Sequence, residues 1–155
     1  MNQSRRHALR TGGGAGVLAL LLAAGIVKPG KLLAQAGQSA FEVKTLPDAL
    51  KALGAQNPAS SDAIQIKAPE IAENGAVVPI GVESRLPGTQ SITLLVEKNP
   101  QPLTASFDIP AGTEPSIATR VKMGESSDVY ALVKADGKFY MAKKEIKITL
   151  GGCGG

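Results

Sequence analysis

"VYALVKADGKFYM", Val129 to Met141, carries the clearest fold signal in the 155-residue chain. Val129, Ala131 and Val133 recur at every second position, the period of a strand whose successive side chains point to opposite faces. Asp136-Gly137 follows, a dipeptide favoured in the type I′ hairpin turn because both central residues there take positive φ. Phe139 and Met141 answer on the return strand, and Ile146, Ile148 and Leu150 close the final one.

The same rhythm extends back through the chain. Ile64 and Ile66 alternate with polar residues, and Val78, Ile80 and Val82 do so after Gly75. Further runs are Ile92 to Val96, then Leu103, Ala105, Phe107 and Ile109, then Ile117 and Thr119 to Val121, separated by the Pro and Gly turns "RLPGT", "KNPQP" and "IPAGTEP". Seven or so short strands at this spacing predict a mainly β fold, an antiparallel immunoglobulin-like β-sandwich. A single cysteine and no tryptophan leave neither the intersheet disulfide nor the core indole of antibody domains, so the expectation concerns architecture only.

One segment departs from the period. "FEVKTLPDALKALG", Phe41 to Gly54, reads as a short N-terminal amphipathic helix, with Pro47 and Asp48 in its first turn, Leu46, Leu50 and Leu53 at helical spacing and Gly54 as its stop. Locally, Asn74-Gly75 within "IAENGAVVP" reads as another hairpin turn and Ser60-Ser61 as an ordinary loop. Tyr130 and Tyr140 read as half-buried strand aromatics, and the lysines of "KFYMAKKEIKI" as a solvated face that blunts edge pairing.

Ahead of this body, residues 1–36 have the form of an export leader, with a basic head, an apolar run and a small-residue stop. Arg5 and Arg6 form the paired arginines read by the bacterial pathway that exports folded proteins, although Ala8 stands where such leaders usually carry a large apolar side chain. Gly12 to Val27 is 16 residues long, short of the ~20 that span a bilayer. Ala34, Gln35 and Ala36 supply a cleavage signal, so the mature chain is expected to begin at Gly37 and to be periplasmic, with no membrane attachment.

Cleavage changes what the composition implies. Without Arg5, Arg6, Arg10, Lys28 and Lys31, the 17 basic residues fall to 12 against 13 acidic, and the electrostatic argument for nucleic acid or anionic membrane disappears. The only histidine, His7, leaves as well. Nucleophile pairs that need histidine cannot then be assembled, nor can a zinc site of the usual nitrogen and sulfur ligands. The carboxylates are scattered and form no recognisable acid/base constellation, so no catalytic residue, cofactor or metal is expected.

The remaining chemistry is at the C-terminus, where the only cysteine, Cys153, stands within "GGCGG". Gly151, Gly152, Gly154 and Gly155 give the backbone around it maximal conformational freedom, so residues 151–155 are expected to form a flexible arm beyond a carrier domain of residues 37–150. The three residues from Leu150 to Cys153 reach at most ~10 Å. A thread without Cβ atoms on either side of the sulfur suits a narrow channel in another protein. An intermolecular disulfide or an idle thiol would permit a terminal cysteine but would not call for paired glycines on both sides. Ubiquitin-like sulfur carriers also end in Gly-Gly, but they are cytoplasmic and built on a different fold. Lys143, Lys144 and Lys147, just before the tail, could favour a thiolate or an anion attached to it.

These features together resemble the SoxY family, the sulfur-substrate carriers of bacterial thiosulfate oxidation. "GGCGG" is similar to that family's hallmark, "PEIAENGAVVP" (Pro69 to Pro79) to its internal block, and "NPQPLTASF" (Asn99 to Phe107) and "RVKM" (Arg120 to Met123) to later ones. The resemblance implies covalent loading of thiosulfate on Cys153 as a cysteine S-thiosulfonate, a persulfide after sulfate is hydrolysed off, and chemistry supplied by partners. Those partners would be SoxZ as a leaderless heterodimer subunit, with transient docking to the haem enzyme SoxXA, the hydrolase SoxB and the sulfur dehydrogenase SoxCD. The competing expectation is an exported structural or adhesin-like sandwich dimerised through a Cys153 disulfide.

Overall fold

The computed structural model describes residues 40–149. The leader, Gly151, Gly152, Cys153, Gly154 and Gly155 lie outside the described residues. Among the described residues one helix, α1 (Leu46–Ala52), precedes nine strands: β1 (Ala59–Ser60), β2 (Ile64–Lys67), β3 (Ile71–Ala72), β4 (Val78–Ser84), β5 (Thr89–Val96), β6 (Leu103–Asp108), β7 (Ser116–Val121), β8 (Ser127–Ala135) and β9 (Lys138–Ile148).

The β8–β9 hairpin is the spine of the fold. Asp136 (φ 47°) and Gly137 (φ 73°) both adopt the left-handed region, as a type I′ turn demands. The antiparallel register runs without interruption from Ala135 opposite Lys138 to Ser127 opposite Ile146. Outward from the hairpin, the larger sheet has the order β1-β9-β8-β5-β6, while β2-β4-β7 form a second, antiparallel sheet. Ile92, Leu94, Val96, Val129, Ala131, Val133 and Ile146 from the first sheet meet Ile64, Val78, Ile80, Val82 and Val121 from the second in one buried core. The expected sandwich is therefore present.

A third layer lies over the outer face of the large sheet. Leu95, Leu103 and Leu132 pack there with Ala40, Ala49 and Ala55, flanked by Leu46, Leu50 and Leu53. Hence Ile92 to Val96 is buried at every residue, the pattern of a strand covered on both faces and not of a half-exposed one. The hairpin divides likewise. Phe139 and Met141 lie opposite Lys134 and Leu132 and face the helical layer, whereas Tyr140 and Ala142 pair with Val133 and Ala131 toward the inter-sheet core.

Three local expectations are corrected. The helix spans Leu46–Ala52, not Phe41 to Gly54. Pro47 has no N–H to give to a preceding turn and disfavours helical geometry at the residue before it, so it is accommodated in the first turn. Thr45 caps it, its Oγ1 accepting the Asp48 N–H at 3.3 Å. Ser60 belongs to β1, which pairs in parallel with Tyr140 and Met141, and is not simply part of a loop. Ile71 and Ala72 form a second parallel pair with Lys147 and Ile148. Asn74-Gly75 does not close a hairpin, since β3 pairs with β9 while β4 pairs with β2 and β7; the turn carries the chain from one sheet to the other.

Gly75 is required there for space. Its carbonyl accepts the Met123 N–H at 2.7 Å, and a Cβ would stand 2.5 Å from the Met123 carbonyl oxygen and 3.2 Å from Ile148 Cγ2. Because the nearest atom is backbone, relief requires the chain to move. Gly75→Ala is expected to destabilise the domain by about 1–3 kcal/mol, read as a lower urea midpoint with an unchanged m value.

Candidate functional site

The described residue nearest to Cys153 in sequence is Thr149, directly after β9 ends at Ile148, so the candidate site is built from what holds that root. In an extended strand successive N–H groups point to opposite edges, and here both edges are occupied. On one side the Lys147 N–H donates to the Glu70 carbonyl at 2.9 Å and the Thr149 N–H to the Ala72 carbonyl at 3.1 Å. On the other the Ile148 N–H donates to Ser126 Oγ at 2.9 Å. Ile146 is fully buried beneath them.

The next shell ties this clamp to two further loops. Gly75 lies against Ile148 and Met123, as described above. The Asn99 side chain spans the turn beyond, its Nδ2 donating to the Lys122 carbonyl at 2.7 Å while its Oδ1 accepts the Gly124 N–H at 3.2 Å. Ser127 Oγ, buried, accepts the Lys98 N–H at 3.1 Å. The segments containing Pro69 to Pro79, Asn99 to Phe107 and Arg120 to Met123, far apart in sequence, thus meet at one end of the sandwich around the root of β9. None of Asn99, Ser126 or Gly75 stood out as an anchor in the sequence, since each acts through a partner that only the fold brings near.

The lysines expected to favour a thiolate are mostly engaged elsewhere. Lys143 forms an ion pair with Asp128 at 2.9 Å, and that hydrogen bond and charge raise its pKa. Lys144 donates to the Ala68 carbonyl at 2.6 Å. Lys143 also lies six residues before Thr149, about 20 Å along a strand. Lys147, exposed and paired in register with Ile71, is the one that flanks the root. Both tyrosines are half-buried, as expected. Tyr130 donates to Glu97 Oε2 at 3.0 Å, and desolvation, then that hydrogen bond and the charges of Glu97 and Asp128, push its pKa up to about 12.

Among the described residues no group of three or more His, Cys, Asp or Glu side chains is placed to hold a metal ion. The surface depressions among the described residues include two shallow ones. One, of about 320 Å³, is floored by Gly81 and Ala118 between Lys67 and Arg120 on the small sheet. The other, of about 340 Å³, lies between Gly54 to Asn57 and Lys138 to Tyr140. Neither is lined by a carboxylate, a histidine or a thiol.

Comparison with known proteins places the chain in a family. The model of the family "Sulfur oxidation protein SoxY" matches residues 49–153, a span that includes Cys153. The solved structure of the sulfur carrier protein SoxY from Chlorobium limicola f thiosulfatophilum is 41% identical, covers 70% of this chain and 96% of its own, and superposes with a TM-score of 0.62. A superoxide reductase (neelaredoxin) from Ignicoccus hospitalis shares the fold alone, at 19% identity and a TM-score of 0.52 over 59% of this chain and 95% of that one. No match was found among curated proteins.

Two measurements probe the site. Ser126→Ala removes the acceptor of the Ile148 N–H, and the loss of a bond worth ~1 kcal/mol should speed hydrogen exchange at that amide about fivefold while Leu132 and Val133 keep their protection. For Tyr130, the folded phenol keeps its proton to about 12 whereas an unperturbed one ionises at 10.0, so stability falls as pH rises between these values. Tyr130→Phe should flatten that slope in urea midpoints measured from about pH 9 to 11.5.

Proposed function

Because the chain belongs to the SoxY family of sulfur-oxidation proteins, we propose that it is the covalent carrier of periplasmic thiosulfate oxidation, with Cys153 as the point of attachment. The observation that carries this reading is the extent of the family match, which runs through residue 153 and takes in the one cysteine of the chain. The clamp on β9 supports it: four residues separate Thr149 from Cys153, a reach of at most ~14 Å from a fixed point. That is enough to enter another protein's channel while the sandwich stays outside.

In the proposed cycle the Cys153 thiolate and thiosulfate are joined through a new sulfur–sulfur bond, and the two electrons released pass to the haem partner, SoxXA. Water then attacks the terminal sulfonate in SoxB, releasing sulfate and two protons and leaving a persulfide on the cysteine. SoxCD takes six electrons from the sulfane sulfur as three waters convert it to a sulfonate with loss of six protons, and a second hydrolysis releases another sulfate and returns the thiol. SoxZ is the proposed heterodimer subunit. The carrier itself performs none of these steps. Residues 1–36 are proposed as a cleaved twin-arginine leader, and residues 151–155 as the moving arm on a carrier domain of residues 37–150. Export in the folded state would let a leaderless subunit cross already bound.

The test is intact mass under non-reducing conditions, before and after thiosulfate and the haem partner are supplied. Mass added at Cys153 by sulfur and sulfonate groups is expected, and Cys153→Ser should abolish it while leaving fold and pairing intact. A reducible doubling of mass with no adduct would instead identify a disulfide-linked structural dimer.

A further inference from the structure

Phe41, Ile71 and Val77 are the large apolar side chains exposed among the described residues, at 41%, 57% and 48%. Single exposed apolar residues are ordinary on any surface. Ile71 and Val77, however, share one short segment, and it is the segment that clamps the end of β9.

Their exposure is imposed by their neighbours. In β3 Ala72 is buried and its carbonyl holds the Thr149 N–H, so Ile71, one residue earlier, must face the other way. At the start of β4 Val78 is fully buried, which turns Val77 outward. The turn between them is fixed by Asn74, whose Oδ1 accepts the Ala76 N–H at 2.9 Å and whose carbonyl accepts the Val77 N–H at 3.3 Å, and by the close approach of Gly75 to Met123. Neither side chain can withdraw into the core without breaking these bonds. Glu70, Glu73 and Lys147, all exposed, stand beside them in sequence or register.

The arm decides what must cover this segment. An enzyme that acts on sulfur at Cys153 has to approach within ~14 Å of Thr149, because four residues reach no farther. Ile71 pairs with Lys147, and Gly75 lies against Ile148, so a channel mouth that takes in the arm closes over the residues around Ile71 and Val77 at every visit. We propose that Ile71 and Val77 form an apolar docking collar for the channel mouth of the enzymes that process sulfur on the arm. The proposal rests on the carrier function above. An apolar centre with a charged rim is the usual anatomy of a protein contact, and one this small suits encounters that must end after each step.

The experiment compares the mature carrier with Ile71→Ser/Val77→Ser, using the thiosulfate-loading haem enzyme and the carrier as the varied substrate. The expected result is a KM for the carrier raised roughly tenfold with kcat within about twofold, the signature of lost docking without lost chemistry. Alkylation of Cys153 by iodoacetamide should proceed at the wild-type rate, and Phe41→Ser should leave KM unchanged. Ile71→Ser alone supplies the same comparison if the double variant does not fold. Wild-type KM in the variant, with loading intact, would overturn the collar. So would loss of a stable subunit from the variant on gel filtration, which would assign the patch to a permanent partner. If the wild-type protein itself is never loaded, the carrier reading fails, and the collar with it.

Discussion

The end of β9 is bonded along both edges, to Glu70 and Ala72 on one side and to Ser126 on the other, and the position of Thr149, the last described residue, depends on this. A tether has a defined reach only if its origin is fixed. Without these bonds the last strand would fray, as chain ends do when nothing ties them down, and Thr149 would move with it. The three internal blocks that carry the family resemblance converge on this clamp. Their shared role is mechanical: one supplies β3 and Gly75, one supplies Asn99, and one supplies the Met123 N–H and Lys122 carbonyl that the other two hold.

The rest of the fold makes that clamp stiff. The large sheet is buried on both faces, by the small sheet on one side and by the α1 layer on the other, so β5 and β8 cannot shift without disturbing two cores. With three phenylalanines, two tyrosines and no tryptophan in the chain, the packing relies on Val, Ile, Leu and Ala. β-branched side chains suit this, having little rotamer freedom to lose in a strand.

Much of this was legible in the sequence, and the misses share a cause. Asp136-Gly137 announced its turn because the required positive φ selects those residues, and the period-2 runs located β2 and β4 to β9. Cys153 stood out by residue type and glycine neighbours alone, and it lies outside the described residues. β1 and β3 were not, because a two-residue strand has no period and a parallel partner leaves no local turn. Asn74-Gly75 looked like a hairpin because turn composition is the same whether the chain returns to its own sheet or crosses to another. The constraint on Gly75 lies in Met123, 48 positions away, and no local pattern carries it. The lysines near the tail could be counted but not placed, since strand direction puts Lys143 far from the root and Asp128 takes its charge.

The two short parallel strands also bear on how the protein behaves when concentrated. β9 is the last long strand on its side of the large sheet, and a bare edge of that length would offer a template for another copy to extend. β1 covers it at Tyr140 and Met141, and β3 at Lys147 and Ile148. The stretch between is "AKKEI", Ala142 to Ile146, in which three of five side chains are charged. A foreign strand would have to displace both covers or lie against those charges, so β3, which holds the end of β9, also helps protect this edge of the sheet from fibrillar self-association.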